Sequence, residues 1–297
     1  MEAKEATRSD QREAAIDRRN AAAKHEEELK KCIAELRDIQ DKMKVLGAEL
    51  HNKLKLVEAP LSDDEALFKE PPPREECPIC LLTLPFHARE RRYRVCCGKV
   101  ICAGCSHAIV EAEGCRDLCA FCRSAKITTE ECMKRIEKRA ESNHADAIYL
   151  LGSYYNNGDM GLRQDHDKAR KLWLRAGKLG EARGYHGIGQ AYLNGEGVER
   201  DMKKAQYYWE LAAVGGNVEA RHNLGALERN EGNAERAVKH WMISAAAGHD
   251  DSLKTIRESY LAGHATKDDF EKALRAHKDA KDEMVSEQRS VAAAARG

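Results

Sequence analysis

Nine of the chain's eleven cysteines lie between Cys77 and Cys122. They fall as Cys77 and Cys80, Cys96 and Cys97, Cys102 and Cys105, then Cys115, Cys119 and Cys122. A two-residue gap lets one turn aim both sulfurs of a pair at a single ion, and zinc prefers four such ligands in a tetrahedron. The three spaced pairs together with Cys96 and Cys97 offer eight sulfurs, enough for two closed zinc sites. Cysteines scattered as buried apolar residues would not keep this spacing. Closed sites leave no coordination position for water, so hydrolysis at the metal is not expected. The sequence holds no Ser-His-Asp grouping, no phosphate-binding glycine loop and no H-E-x-x-H helix. Binding is therefore the expected function, not covalent catalysis.

Composition narrows the setting. Lys+Arg and Asp+Glu are 50 each, so no whole-protein attraction to nucleic acid or a membrane surface is expected. Charged residues make up 34% and aromatics 5%, a balance that suits helices with wet faces better than one large core. No apolar run reaches the length of a membrane span, and no secretory signal is visible. Dense cysteines without such a signal suit a reducing compartment, so a cytoplasmic or nuclear location is the expectation.

The elements that must position these cysteines read as follows. Residues 1–58 are rich in Ala, Glu, Lys and Arg, and Leu29, Leu36, Met43, Leu50 and Val57 recur every seven. With Cys32, Ile39 and Leu46 they form an a/d seam of about four heptads, which predicts a coiled-coil helix and a homodimer. Residues 59–75 break that pattern at Pro60 and at Pro71, Pro72 and Pro73, and predict a stiff extended linker. Residues 76–125 form the cysteine unit, with a strand before Cys96, a returning strand at Val100 and Ile101, and a short helix over 106–113. So small a unit cannot bury enough apolar surface by itself, and zinc would supply roughly 10 kcal/mol of folding free energy per site. Thr128 followed by Glu131 is a capping-box signal for a linking helix within 126–144, with Met133, Ile136 and Ala140 on one side. The arginines at 89, 91, 92 and 94 have Glu90 as the one acid among them and read as a solvated strand face, so nucleic acid is not an expected partner.

The cysteine order resembles the RING finger family. That resemblance implies a cross-braced α+β domain with two zinc ions. Cys77, Cys80, Cys102 and Cys105 would hold one ion; Cys119 and Cys122, with two ligands near Cys96 and Cys97, would hold the other. The family's usual histidine position is Lys99, which cannot ligate. Cys97 can take its place if the chain turns at Gly98, with His107 and Cys115 as the alternatives. RING domains that act as ubiquitin ligases grip a ubiquitin-conjugating enzyme in a shallow apolar groove. The positions carried over are Ile79, Ile109 and Phe121, with Arg123 matching the basic residue that locks the donor ubiquitin in some members. Ala120 stands where the family usually has proline.

From about Ala145 the chain repeats itself. Gly152, Gly189 and Gly225 are equivalent, as are Ala169, Ala205 and Ala237, and the three tryptophans Trp173, Trp209 and Trp241 fall one to a unit. A degraded fourth copy follows, with His277 at the tryptophan position. Each unit is predicted to be an antiparallel helix pair, its first helix stopped at Asn157-Gly158 or Asn194-Gly195 and its second capped by Asp165 or Asp201. Such pairs must stack into a solenoid. The spacings resemble Sel-one-like repeats, relatives of tetratricopeptide repeats, over 145–281. His186 and His222 recur with the repeat and are not expected to ligate, and residues 282–297 read as a capping helix that frays. The fold class expected is thus mainly α, with a coiled-coil helix, a small double-zinc module and an α-solenoid. The combined resemblance implies a ubiquitin ligase that recruits a conjugating enzyme through the module and a protein substrate through the solenoid, or else a non-catalytic scaffold with a structural zinc module.

Overall fold

The structure is a computed structural model that describes residues 31, 33, 35, 37, 42, 64–112, 118–125 and 127–295. The chain divides into Met1–Glu58 and Ala59–Gly297. The predicted coiled coil, with Cys32, lies outside the described residues apart from helical, exposed positions at Lys31, Ile33, Glu35, Arg37 and Lys42. The second unit opens with α1 (Asp64–Phe68) and an extended segment through the three prolines. Strands β1 (Arg91–Arg94) and β2 (Lys99–Cys102) follow as an antiparallel hairpin, with Arg91 opposite Cys102 and Arg94 opposite Lys99. Helix α2 (Ala103–Glu111) leaves the hairpin directly.

Helix α3 (Thr129–Glu141) starts where the capping signal places it. The Thr128 hydroxyl accepts from the Glu131 N–H at 3.2 Å. The Glu131 carboxylate turns to Arg135 instead of reaching back to the cap. Met133, Ile136 and Ala140 are buried on one face, against Ile148 and Leu151 of the next helix.

Then come the paired helices α4 (Ala145–Asn157) and α5 (His166–Lys178), α6 (Ala182–Asn194) and α7 (Met202–Val214), and α8 (Val218–Asn230) and α9 (Ala234–Ala246). Each pair packs within itself and against the next pair. The first helices of the first two pairs stop at Gly158 (φ +74°) and Gly195 (φ +75°), in the left-handed region that a residue with a Cβ avoids. Asp165 and Asp201 cap the second helices by accepting from the Lys168 and Lys204 amides. The glycine–tryptophan periodicity has a direct cause. A Cβ at Gly152, Gly189 or Gly225 would sit 2.7, 2.5 or 2.4 Å from the indole of Trp173, Trp209 or Trp241. The glycine is the socket for its own unit's tryptophan, and Ala169, Ala205 and Ala237 are fully buried beside it.

The degraded fourth copy is α10 (Asp250–Leu261) and α11 (Lys267–Met284). Its His277 lies 2.9 Å from the Asp250 carboxylate, a polar contact where the other units have a core tryptophan. The last helix, α12 (Glu287–Ala294), is capped by Ser286 and packs on α2. The sequence suggests a fraying end; the structure shows a docked one. Among the described residues no helix is long and apolar enough to cross a membrane.

The segment before the cysteines is more than a spacer. Leu67 of α1 is 1% exposed within the core formed by Ala205, Trp209 and Leu224. Pro72 lies over Gly216, and the Arg74 guanidinium donates to the Ala247 carbonyl at 3.0 Å. From the cysteine unit itself, between Cys80 and Cys96, Phe86 also packs on His249, with ring centroids 5.3 Å apart. Gly216, Ala247 and His249 all belong to turns between units. The linker thus packs on the solenoid instead of standing free of it.

Candidate metal centres

Two features of the local backbone aim the thiols. After Cys80 and after Cys122 the chain makes the same turn. Leu81 (φ +57°) and Arg123 (φ +56°) are both left-handed without being glycine. The Leu81 and Arg123 amides donate to the Cys77 and Cys119 carbonyls, while the Cys77 and Cys119 amides donate to the Leu82 and Ser124 carbonyls. Such positions are costly and persist where surrounding bonds fix them. The third pair is built differently. Cys102 ends β2 and caps α2, its sulfur accepting from the Cys105 N–H at 3.3 Å. Cys105 is thereby set one helical turn away, facing the same point.

Cys96 and Cys97 share the tip of the hairpin. The chain turns over 95–98, with the Cys97 and Gly98 amides both donating to the Arg94 carbonyl and Gly98 at φ +74°. Adjacent residues of a straight strand point apart; here the turn brings both thiols to one side. A Cβ at Gly98 would lie 2.6 Å from Arg139 Nη1. Arg139, on α3, donates to the Val95 and Cys96 carbonyls, each at 2.9 Å, and fixes the tip from outside.

The result is two groups of four. The sulfurs of Cys77, Cys80, Cys102 and Cys105 lie within 4.8 Å of one another, as do those of Cys96, Cys97, Cys119 and Cys122. Cys80 and Cys102 are 3.9 Å apart, and Cys97 and Cys119 are 3.8 Å apart. A tetrahedron with metal–sulfur bonds of about 2.3 Å has an edge of about 3.8 Å. Each group can therefore bind a metal ion, and the donor set fits a soft or borderline cation. The groups alternate along the chain, as the ligand order implied. His107 joins neither group. Cys115 lies outside the described residues, and Cys132 packs partly buried against the α3–α4 core.

The electrostatics point the same way. Burial opposes ionisation of Cys77, but donors led by the Cys102, Cys80 and Ile79 amides outweigh it and bring the thiol down to about 7. Burial likewise opposes ionisation of Cys119, and the Cys122 and Phe121 amides bring it down to about 6. Burial pushes Cys96 up to about 12, and it raises Cys105 as well, helped by the neighbouring sulfurs. Four crowded thiols cannot all ionise unless a cation lies among them.

Side chains from the far end of the chain also reach the first group. Arg289 of α12 donates to the Thr83 carbonyl at 2.8 Å and the Met284 carbonyl at 2.9 Å. It also donates to the Leu82 carbonyl at 3.3 Å and the Cys80 sulfur at 3.5 Å. The Cys105 sulfur lies 3.8 Å from Gln288 Oε1. A Cβ at Gly104 would sit 2.7 Å from the Arg289 backbone nitrogen, so α2 and α12 touch at that glycine. Neither Arg139 nor Arg289 was evident from sequence. Each acts across a long separation and carries no local motif.

Of the groove residues, Ile79, Ile109 and Arg123 line one cavity of about 300 Å³ with Ala120, Leu118 and Gln288. Ile79 is 39% exposed there. Phe121 is not among the lining residues; it packs on the buried cluster of Cys77, Leu84 and Ile101, under the Lys99 ammonium. The arginine run is less free than its sequence suggests. Arg91 pairs with Glu75, and Arg92 donates to the Arg89 and Arg91 carbonyls. His186 and His222 make local polar contacts, to Glu219 and Asn223 and to Ser252.

With the helix pairs and their sockets described, residues 145–181 and 182–217 match the family model of the Sel1 repeat. These units are Sel1 repeats. Seventy-five residues are 36% identical to the ERAD-associated E3 ubiquitin-protein ligase component HRD3A of Arabidopsis thaliana, a match over 25% of this chain and 11% of that protein. The chain thus spans about a tenth of that relative's length. Among solved structures, a Sel1 repeat protein from Oxalobacter formigenes is 27% identical, over 53% of this chain and 66% of that one, with a TM-score of 0.47. The protective antigen c5321 of uropathogenic Escherichia coli, described as having an SLR fold, is 28% identical over 50% of this chain and 33% of that one, with a TM-score of 0.43. Stacked helix pairs of this kind build an extended, repeating surface.

Proposed function

We propose that the chain is a zinc-dependent RING-type ubiquitin ligase, in which Cys77, Cys80, Cys102 and Cys105 hold one zinc ion and Cys96, Cys97, Cys119 and Cys122 hold another. Zinc here would fold the module and take no part in bond making. The observation that carries the proposal is that Ile79, Ile109 and Arg123, widely separated in sequence, line one small apolar cavity beside the cysteine groups. That cavity would receive an apolar loop of a ubiquitin-conjugating enzyme. Arg123 would then lie where a donor ubiquitin approaches. The Sel1 repeats would hold a protein substrate, and the gain in rate would come from positioning a thioester near a lysine. The likeness to a component of a ubiquitin ligase assembly supports the same direction.

Autoubiquitination by the full chain with a panel of conjugating enzymes tests this. Activity with at least one enzyme, lost in Ile79→Ala while two zinc ions stay bound, is the expected outcome. Absence of activity with every enzyme, with zinc bound, rejects it. A second reading, a non-catalytic scaffold, is favoured by Gln288, because α12 brings that side chain to the same cavity where a conjugating enzyme would sit. It predicts that no conjugating enzyme shifts the module's NMR signals.

A further inference from the structure

A cavity of about 500 Å³ lies between residues 68–74 and helices α8 and α9. Phe68, Pro72, Val218 and Ile243 give it an apolar wall. Among the described residues, one charged lining group has no counter-ion. Arg221, on α8, is 2% exposed, and its Nε and Nη1 are buried without a hydrogen-bond partner. Burial lowers its pKa to about 10, and among the described residues no carboxylate offsets that. An unpaired guanidinium in an apolar wall is costly, and proteins rarely keep one without a use.

The remaining charges around the cavity cancel. Arg74 is matched by Glu283 at 3.8 Å and donates to the Ala247 carbonyl. Lys69 and Glu70, both exposed lining residues, offset each other. His240, packed on Phe68 with centroids 4.6 Å apart, is held neutral by burial, and the positive charges of Arg221 and Arg236 act in the same direction. Among the described lining residues one positive charge is left over.

We propose that this cavity binds a monocarboxylate carried on an apolar body, with the carboxylate paired to Arg221 and the apolar part against Phe68, Val218 and Ile243. A single leftover charge suits a monoanion. A phosphate dianion would bring a second negative charge into the same space as Glu70. Two sources share this chemistry: a free aliphatic acid, and the C-terminal residue of a protein tail. The site does not depend on the cysteines holding zinc.

Calorimetry on the full chain tests it with octanoate, with octanol as the neutral match, and with a short peptide ending in leucine, free or amidated at its C-terminus. Octanoate should bind at least tenfold more tightly than octanol, and Arg221→Met should remove that difference. Ala246→Trp crowds the exposed edge of the cavity while leaving Arg221 in place, and it should abolish binding. Arg221→Met replaces an unpaired charge by an apolar chain, so its melting temperature should equal or exceed that of the parent. If that variant fails to fold, Ala246→Trp and the octanol comparison decide. Binding of the free but not the amidated peptide identifies a protein tail as the source; octanoate binding alone identifies a free acid. Equal affinity for octanoate and octanol, binding unchanged by Arg221→Met, or no binding by any probe overturns the proposal.

Discussion

Removing the Arg289 guanidinium should release α12 from the cysteine module. In Arg289→Ala the donors to the Thr83 and Met284 carbonyls disappear, and these are the two well-formed bonds, at 2.8 and 2.9 Å. A bond from a charged donor is worth about 1.5 kcal/mol net, and of the two only the Thr83 bond reaches the module, since Met284 ends α11. The longer contacts to Leu82 and Cys80 add less. Against this, Arg289 Nε is buried without a partner, and its loss costs nothing. A net weakening of about 1.5–2 kcal/mol corresponds to roughly 10- to 30-fold more frequent opening, since 1.4 kcal/mol is tenfold. Hydrogen exchange over residues 287–294 reads this directly. Gly104→Ala supplies an independent perturbation, because its Cβ would meet the Arg289 backbone at 2.7 Å. Inside a helix that substitution is normally favourable by about 1 kcal/mol. Here it should also unprotect α12 while leaving the guanidinium intact. If 287–294 exchange as fast in the parent as in both variants, the docking argument is wrong.

Three further outcomes are expected. Gly225→Ala should destabilise the solenoid by about 1–3 kcal/mol: its Cβ would crowd Trp241 at 2.4 Å and threaten the indole's bond to the His222 carbonyl, which outweighs the propensity gain. Urea unfolding should show this, and Trp241→Phe in the same chain should recover part of the loss. Metal analysis should find two zinc ions in the parent and in His107→Ala, but about one in Cys97→Ala, since His107 stands outside both sulfur groups. His240 carries a pH dependence. Burial lowers its pKa to about 3 in the folded chain, so below about pH 6.5 the unfolded chain takes up the proton first. Its neutral burial thus supports the fold fully above pH 6.5 and progressively less down to about pH 3. His240→Phe should therefore lose less stability than the parent between pH 7 and pH 4.5 in urea titrations.

What could be read from the sequence was whatever repeats or keeps a short spacing. The helix pairs announced themselves because glycine, alanine and tryptophan recur in each unit, and each recurrence has a contact behind it. The cysteine grouping was legible for a similar reason, since a two-residue gap can be served by one turn. At the hairpin tip the sequence left Cys97, His107 and Cys115 open. The difference lies in the turn at Gly98, and Gly98 is accommodated by Arg139 from a helix some forty residues further on. Arg289 acts over an even longer separation, and Leu67 enters a core made by α7 and α8. No periodicity encodes such contacts. They arise when apolar or charged groups from distant segments meet, and a linear pattern does not display that.

The tryptophan sockets also determine what light can report. All three tryptophans belong to the solenoid, one to a unit, and none lies in the cysteine module. Tryptophan emission therefore has no reporter inside the module, where Tyr93 is the intrinsic fluorophore. Any change in tryptophan emission on adding a chelator must have travelled into the repeats, by way of the α3 link held by Arg139, the proline segment over Gly216, Phe86 on His249 or α12 on α2. Trp241, whose indole N–H is bonded, and Trp173 and Trp209, whose indole N–H groups are not, would give distinct signals for that relay.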